Sequence, residues 1–226
     1  DANVSANAAK ASIVDSPICL SVAKIDGDTK LPIGGQVFKV MDNDGSIIKL
    51  SPITGKAGWF AAGGLSETFV MPASGTVNIA YLPEGEYELV EVTPADGYAV
   101  FAEAVSFAVS NDDLYTAPEQ LKVENFALMV EVTKTDGLTG ETLPGVSLEI
   151  LDANGVAVKM KKLSDGSYTV DKDGAVLFET GTNGKASIRL LPAGDFTLVE
   201  QNNPGFGKVE PVPFTVRNEN TSATRS

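Results

Sequence analysis

Apolar and polar residues alternate along most of this chain, and the alternation is broken at short intervals by Gly, Pro and Asp-Gly pairs. In Leu128-Met129-Val130-Glu131-Val132-Thr133-Lys134, residues 128, 130, 132 and 134 share one face of a strand, because side chains alternate with period two. Three of them are apolar and the fourth is Lys134. The same stripe occurs earlier, with Ile18, Leu20 and Val22 followed in phase by Lys24. A lysine closing a buried stripe is unusual, since lysines are rarely fully buried unless paired.

The rest of the pattern repeats in the same order. Leu82-Pro83-Glu84-Gly85-Glu86-Tyr87-Glu88-Leu89-Val90-Glu91 is matched by Leu191-Pro192-Ala193-Gly194-Asp195-Phe196-Thr197-Leu198-Val199-Glu200, and Phe107-Ala108-Val109 by Phe214-Thr215-Val216. A period of about 110 residues means tandem domains rather than a solenoid, whose repeats are much shorter. The expected division is an N-terminal segment 1–16 with a strand-like run at 11–15, a first domain 17–126, a second domain 127–217 and a flexible tail 218–226. No amphipathic helix longer than a turn or two is readable. The fold class predicted is all-β: two tandem antiparallel β-sandwiches, the second lacking its own last strand.

Three polar residues of the first domain fall on apolar faces. They are Lys24, Glu91 in phase with Tyr87 and Leu89, and Asn125 in phase with Leu121 and Val123. Buried separately each is costly; gathered in one core they satisfy one another. On the residues alone, an ordinary buried Lys24–Glu91 ion pair, or either side chain reaching out to solvent at a strand end, ranks first.

The motifs resemble the Cna protein B-type, or SpaA-like, domains of Gram-positive pilins and surface adhesins. The resemblance lies in Lys24-Ile25-Asp26, Tyr87-Glu88-Leu89-Val90-Glu91, Pro94 with Gly97-Tyr98, and Asn125. It lies again in Lys134-Thr135-Asp136, Phe196 to Glu200, and Pro204-Gly205-Phe206. It implies a self-formed isopeptide bond between Lys24 and Asn125, with Glu91 as the proton-handling carboxylate. It also implies a secreted protein at the cell surface or wall of a Gram-positive bacterium, serving as a structural pilus or filament subunit with copies of itself or other pilins as partners. The alternative is a stalk or ligand-binding fragment of a multidomain wall adhesin, with host protein or glycan as partner.

The second domain supplies Lys134 and Glu200 but no third member. The tail after Val216 shows no alternation, so the sandwich is expected to keep an open edge, which natural proteins avoid. The N-terminus has a surplus strand: Ala11, Ile13 and Asp15 are spaced like Leu121, Val123 and Asn125, and Asp15 precedes Lys24 as Asn125 precedes Lys134. The sharpest expectation is therefore that Asp15 of one copy bonds to Lys134 of the next, assisted by Glu200, so that copies join head to tail. The competing expectations are a piece cut from a longer multidomain protein and, ranked last, Asn218 serving within the chain.

Composition narrows the remaining classes. A net charge of −13 argues against nucleic acid and anionic membranes as partners. With no histidine and one cysteine, Cys19, a disulfide within the chain is impossible and no metal or other cofactor is expected. There is no run of about 18 apolar residues, so no membrane-crossing helix is expected; with no histidine, no nucleophile elbow and no phosphate loop, the chain does not read as an enzyme. Asp42-Asn43-Asp44-Gly45 and Asp171-Lys172-Asp173-Gly174 read as hairpin turns rather than calcium loops, and Trp59-Phe60 as a core contact in an inserted hairpin, with an exposed binding patch as the alternative. Neither a Leu-Pro-x-Thr-Gly nor a Tyr-Pro-Lys motif is present, which favours strand exchange over sortase-built polymerisation.

Overall fold

The alternating runs form strands because each presents one face to a core and the other to water. The computed structural model describes residues 11–100, 103–201 and 203–221, and among them there is no helix. The first repeat contains β1 (Cys19–Asp26), β2 (Val37–Asp42), β3 (Ile47–Ile48), β4 (Leu50–Pro52), β5 (Trp59–Ala62), β6 (Phe69–Val70), β7 (Thr76–Ala80), β8 (Gly85–Thr93), β9 (Val105–Val109) and β10 (Glu119–Asn125). The second contains β11 (Met129–Thr133), β12 (Ser147–Asp152), β13 (Met160–Lys162), β14 (Tyr168–Val170), β15 (Phe178–Glu179), β16 (Lys185–Arg189), β17 (Gly194–Glu200) and β18 (Val212–Val216).

Each repeat is a sandwich of two sheets. The first stacks β10-β1-β7-β5-β4 on β3-β2-β8-β9; the second stacks β11-β16-β14-β13 on β15-β12-β17-β18. Leu20, Val22, Phe38, Val40, Val77, Ile79 and Leu89 fill the first core, and Leu148, Ile150, Ile188, Phe178 and Phe196 the second. Full burial of side chains of this size contributes about 1.5–3 kcal/mol each. Trp59 and Phe60 are half-buried in β5; the Phe60 ring lies 5.6 Å from that of Phe69, the core contact expected, whereas Trp59 lines a surface cavity. The Asp-Gly turns close as read: the Asp42 carboxylate accepts from the N–H groups of Asp44 and Ser46, and Gly45 takes a left-handed φ of 78°.

The sheets are not wholly antiparallel. β1 and β10, first and last strands of the first sandwich, pair in parallel, which sets Lys24 beside Val123 and Asp26 beside Asn125. That pairing brings the stripe ending in Lys24 next to the stripe ending in Asn125. In the second sandwich no strand occupies the corresponding edge of β11 among the described residues.

Two expectations for the chain ends change. Residues 11–16 form no strand within this chain: Ile13 and Val14 are 91% and 84% exposed, and among the described residues no neighbouring strand lies beside the run to form a ladder. The beginning of the tail is held rather than free. The Asn220 carbonyl accepts from Met129 N–H at 2.7 Å and Thr221 bridges Leu128, just as Asp113 accepts from Cys19 and Leu114 bridges Ile18 in the first repeat. The chain therefore enters the second sandwich at the place from which the first goes on to form β10. Residues 222–226 lie outside the described residues.

Candidate functional site

Three strands deliver one polar side chain each into the first core. β1 brings Lys24, fully buried; β8 brings Glu91 and β10 brings Asn125, 7% and 2% exposed. The Lys24 ammonium nitrogen donates to Asn125 Oδ1 at 2.5 Å. Asn125 Nδ2 donates to both Glu91 oxygens, at 2.8 and 3.1 Å, and to the Ala99 carbonyl at 3.2 Å. The carboxamide thus lies between amine and carboxylate, its oxygen toward one and its nitrogen toward the other.

The electrostatics follow from the burial. Loss of hydration pulls the Lys24 pKa from 10.5 down to about 8, against the opposing pull of Glu91 and Glu124. About one lysine in ten is then neutral at pH 7, far more than for a lysine in water. A neutral amine is a nucleophile, an ammonium is not. The Phe38 ring, 5.9 Å from Nζ, closes the pocket on its apolar side.

The second core holds the same arrangement less one member. Lys134 Nζ stands 3.3 Å from Glu200 Oε2, with side chains 19% and 7% exposed. Glu200 Oε1 is buried and has no hydrogen-bond partner among the described residues. A cavity of about 400 Å³ opens beside it, lined by Glu200, Asn203, Phe206 and Gly207. Gly205-Phe206-Gly207 repeats Gly97-Tyr98-Ala99, so the space between Glu200 and Gly207 corresponds to the one that holds the Asn125 carboxamide between Glu91 and Ala99.

Asp15 is exposed and stands apart from Lys134, at the far pole of the first domain beside Pro17 and Tyr81. Asn218 is not a member of the second site either. Its Oδ1 accepts from Val100 N–H at 2.6 Å and its Nδ2 donates to the Val100 carbonyl at 3.4 Å, clamping the first domain to the tail.

A second network escaped the sequence reading. Asp26 accepts from the backbone N–H groups of Asp28 and Thr29, from Tyr98 Oη at 2.9 Å and from Arg189, which reaches across from the second domain at 3.1 Å and also meets Asp28 at 3.1 Å. Burial alone raises the Asp26 pKa, but these donors together hold it below the ordinary value. The available signal was the Lys-x-Asp motif itself, whose aspartate falls two residues beyond Lys24. Its partner at residue 189 lies on the other repeat and had no local signature.

A family model described as the SpaA prealbumin-like fold domain matches residues 19–120 and, a second time, residues 129–225. No curated protein matches the chain. Among solved structures, the Bacillus anthracis TIE protein is 21% identical over 90% of this chain and 32% of its own, with a TM-score of 0.44. A streptococcal ancillary pilin is 25% identical over 89% of this chain and 59% of its own, also at 0.44. The shaft pilin SpaA of Lactobacillus rhamnosus GG is 15% identical over 90% of this chain and 94% of its own, at 0.42. The chain thus spans less than two thirds of the length of the first two.

Proposed function

The chain belongs to the SpaA family of prealbumin-like fold domains, two in tandem, and from that premise we propose that it is a structural module of a Gram-positive surface filament, locked by a self-formed isopeptide bond between Lys24 and Asn125. The observation that carries this reading is the buried contact of Lys24 Nζ with the Asn125 carboxamide, whose nitrogen is held by Glu91.

The reaction balances within these three side chains. Neutral Lys24 Nζ attacks Asn125 Cγ. The Nζ–Cγ bond forms, the Cγ–Nδ2 bond breaks, and Glu91 carries a proton from the attacking nitrogen to the departing one, so ammonia leaves. Folding supplies the positioning that makes an intramolecular step of a very slow bimolecular one. The product amide carries no charge, which removes the cost of the buried lysine. The bond closes a loop with a sequence separation of 101 residues. By the chain-entropy argument for cross-links this contributes on the order of 4–5 kcal/mol. Because it ties first strand to last, a pull on the two ends of the domain passes through covalent bonds.

In the same reading Lys134 and Glu200 await an Asn or Asp on a strand added along the open edge of β11. Ala11, Ile13 and Asp15 have the required spacing and are exposed, so we assign that strand to a neighbouring copy, with Asp15 Cγ taking Lys134 Nζ and water leaving. The partnerless Glu200 Oε1 supports this assignment. A second reading has its own support. Residues 11–15 precede β1 as 121–125 precede β11, the arrangement of a longer multidomain stalk in which each last strand runs into the next first strand. Intact mass tests the Lys24 bond: one ammonia fewer than the sequence requires is expected, and a full mass refutes it. A boiled denaturing gel tests the exchange. A ladder lost in Asp15→Ala supports it, and a monomer band alone leaves the stalk.

A further inference from the structure

We infer that the pole of the first domain around Tyr81, Trp59 and Lys56 is a socket for the Gly205–Gly207 loop of a second copy of this chain; the inference rests on the head-to-tail reading above and says what surface joins the copies.

The template is the junction inside the chain. There the loop Gly97-Tyr98-Ala99 of the first domain sits on the second. The N–H of Leu128 donates to the Gly97 carbonyl at 2.7 Å. A Cβ on Gly97 would come within 2.4 Å of the Leu190 carbonyl oxygen, so the two backbones touch and only glycine fits. Leu190 is in the left-handed region at φ 61°, an uncommon conformation for a residue with a side chain. Its N–H donates to the Leu128 carbonyl at 2.9 Å, while the Leu128 N–H donates to the incoming loop.

The first domain has the same socket at its opposite pole. Tyr81 occupies the place of Leu190, at φ 64°, and donates to the Ile18 carbonyl at 2.9 Å. The N–H of Ile18, counterpart of Leu128, has no acceptor among the described residues. Tyr81 is 60% exposed, and beside it lies a cavity of about 270 Å³ lined by Asp15, Pro17, Lys56, Trp59, Ala80 and Tyr115. The second domain has the matching plug. Gly205 has φ 90° where Gly97 has φ 77°, a Cβ on it would meet nothing, and Phe206 is 42% exposed.

The charges complete the match. Asp136 accepts from the N–H groups of Leu138 and Thr139, as Asp26 does from Asp28 and Thr29. Asp26 also receives Arg189 from the neighbouring domain. The counterpart of Arg189 in the first domain is Ala80, and the cation lining that cavity is Lys56, 4.9 Å from the Trp59 ring centroid. Lys56 of one copy therefore meets Asp136 of the next, with Phe206 seated beside Trp59. The contact is heterologous and continues into a filament.

The test uses the full chain with Lys134→Arg, which cannot form the covalent link between copies. Sedimentation velocity over a concentration series is expected to show reversible association. Lys56→Glu or Asp136→Lys alone sets like charges face to face and weakens it by at least about tenfold; the two changes together restore it. A monomer at every concentration, or a combined variant no better than either single one, overturns the inference. The denaturing gel reads the bond separately. Association of the Lys134→Arg protein without a wild-type ladder upholds the socket while refuting the intersubunit bond.

Discussion

Glu91→Gln separates the chemistry of the first domain from its shape. Glutamine keeps the size of the side chain and an oxygen for Asn125 Nδ2, which Glu91 now holds at 2.8 and 3.1 Å, but it cannot take a proton from an attacking amine. The variant is expected to fold without forming the bond. It then lacks the constraint on a loop with a sequence separation of 101 residues, a loss on the order of 4–5 kcal/mol. Each kcal/mol moves the midpoint of a domain this size by roughly 4–8 °C, so the first domain should melt roughly 15–40 °C lower. Lys24 also stays in the core as an amine, without the carboxylate that supports its charge, which deepens the loss. Scanning calorimetry and intact mass on the same sample give both readouts, and the second domain serves as an internal control. Loss of ammonia from the glutamine variant refutes the role of Glu91. A variant that lacks the bond yet melts within a few degrees of the parent refutes the attribution of stability to it.

The rate of bond formation in freshly synthesised protein should rise with pH up to about 8 and level off above it, since the neutral Lys24 amine is the reactive form; a mass-spectrometric time course that is flat between pH 6 and 8 contradicts this. In Glu91→Gln, stability should rise as pH climbs toward 10.5. The folded lysine has the lowered pKa, so the unfolded chain binds the extra proton in that window, and removing protons favours the folded state. The bonded protein, with no amine at residue 24, should lack that rise in parallel denaturant titrations. Arg189→Ala removes the contacts at 3.1 Å with Asp26 and Asp28. It should cost the domain junction about 2–3 kcal/mol, raise the Asp26 pKa, and broaden interdomain orientations in solution scattering. An unchanged scattering curve argues against a latch.

The sandwich was legible because alternation and turn residues act locally, and β2, β8, β9 and β10 fall where the apolar runs and Asp-Gly pairs put them. The site was legible for a related reason. Lys24, Glu91 and Asn125 each violate an otherwise clean apolar stripe, and three such violations are costly unless they meet. What the sequence hid is whatever depends on two distant segments at once. Nothing near Asn218 announces its clamp on Val100, and nothing near Arg189 announces Asp26. The run 11–15 has the alternation of a strand and forms none, because a strand is a property of a pair and its partner is not beside it.

The proposed bond between Lys24 and Asn125 is tested most directly by tryptic mass spectrometry of the purified chain. Cleavage is expected to yield residues 11–30 joined to residues 123–134, uncut at Lys24, cut at Lys134 and short by one ammonia. Free peptides ending at Lys24, together with an unmodified 123–134 peptide, would contradict it.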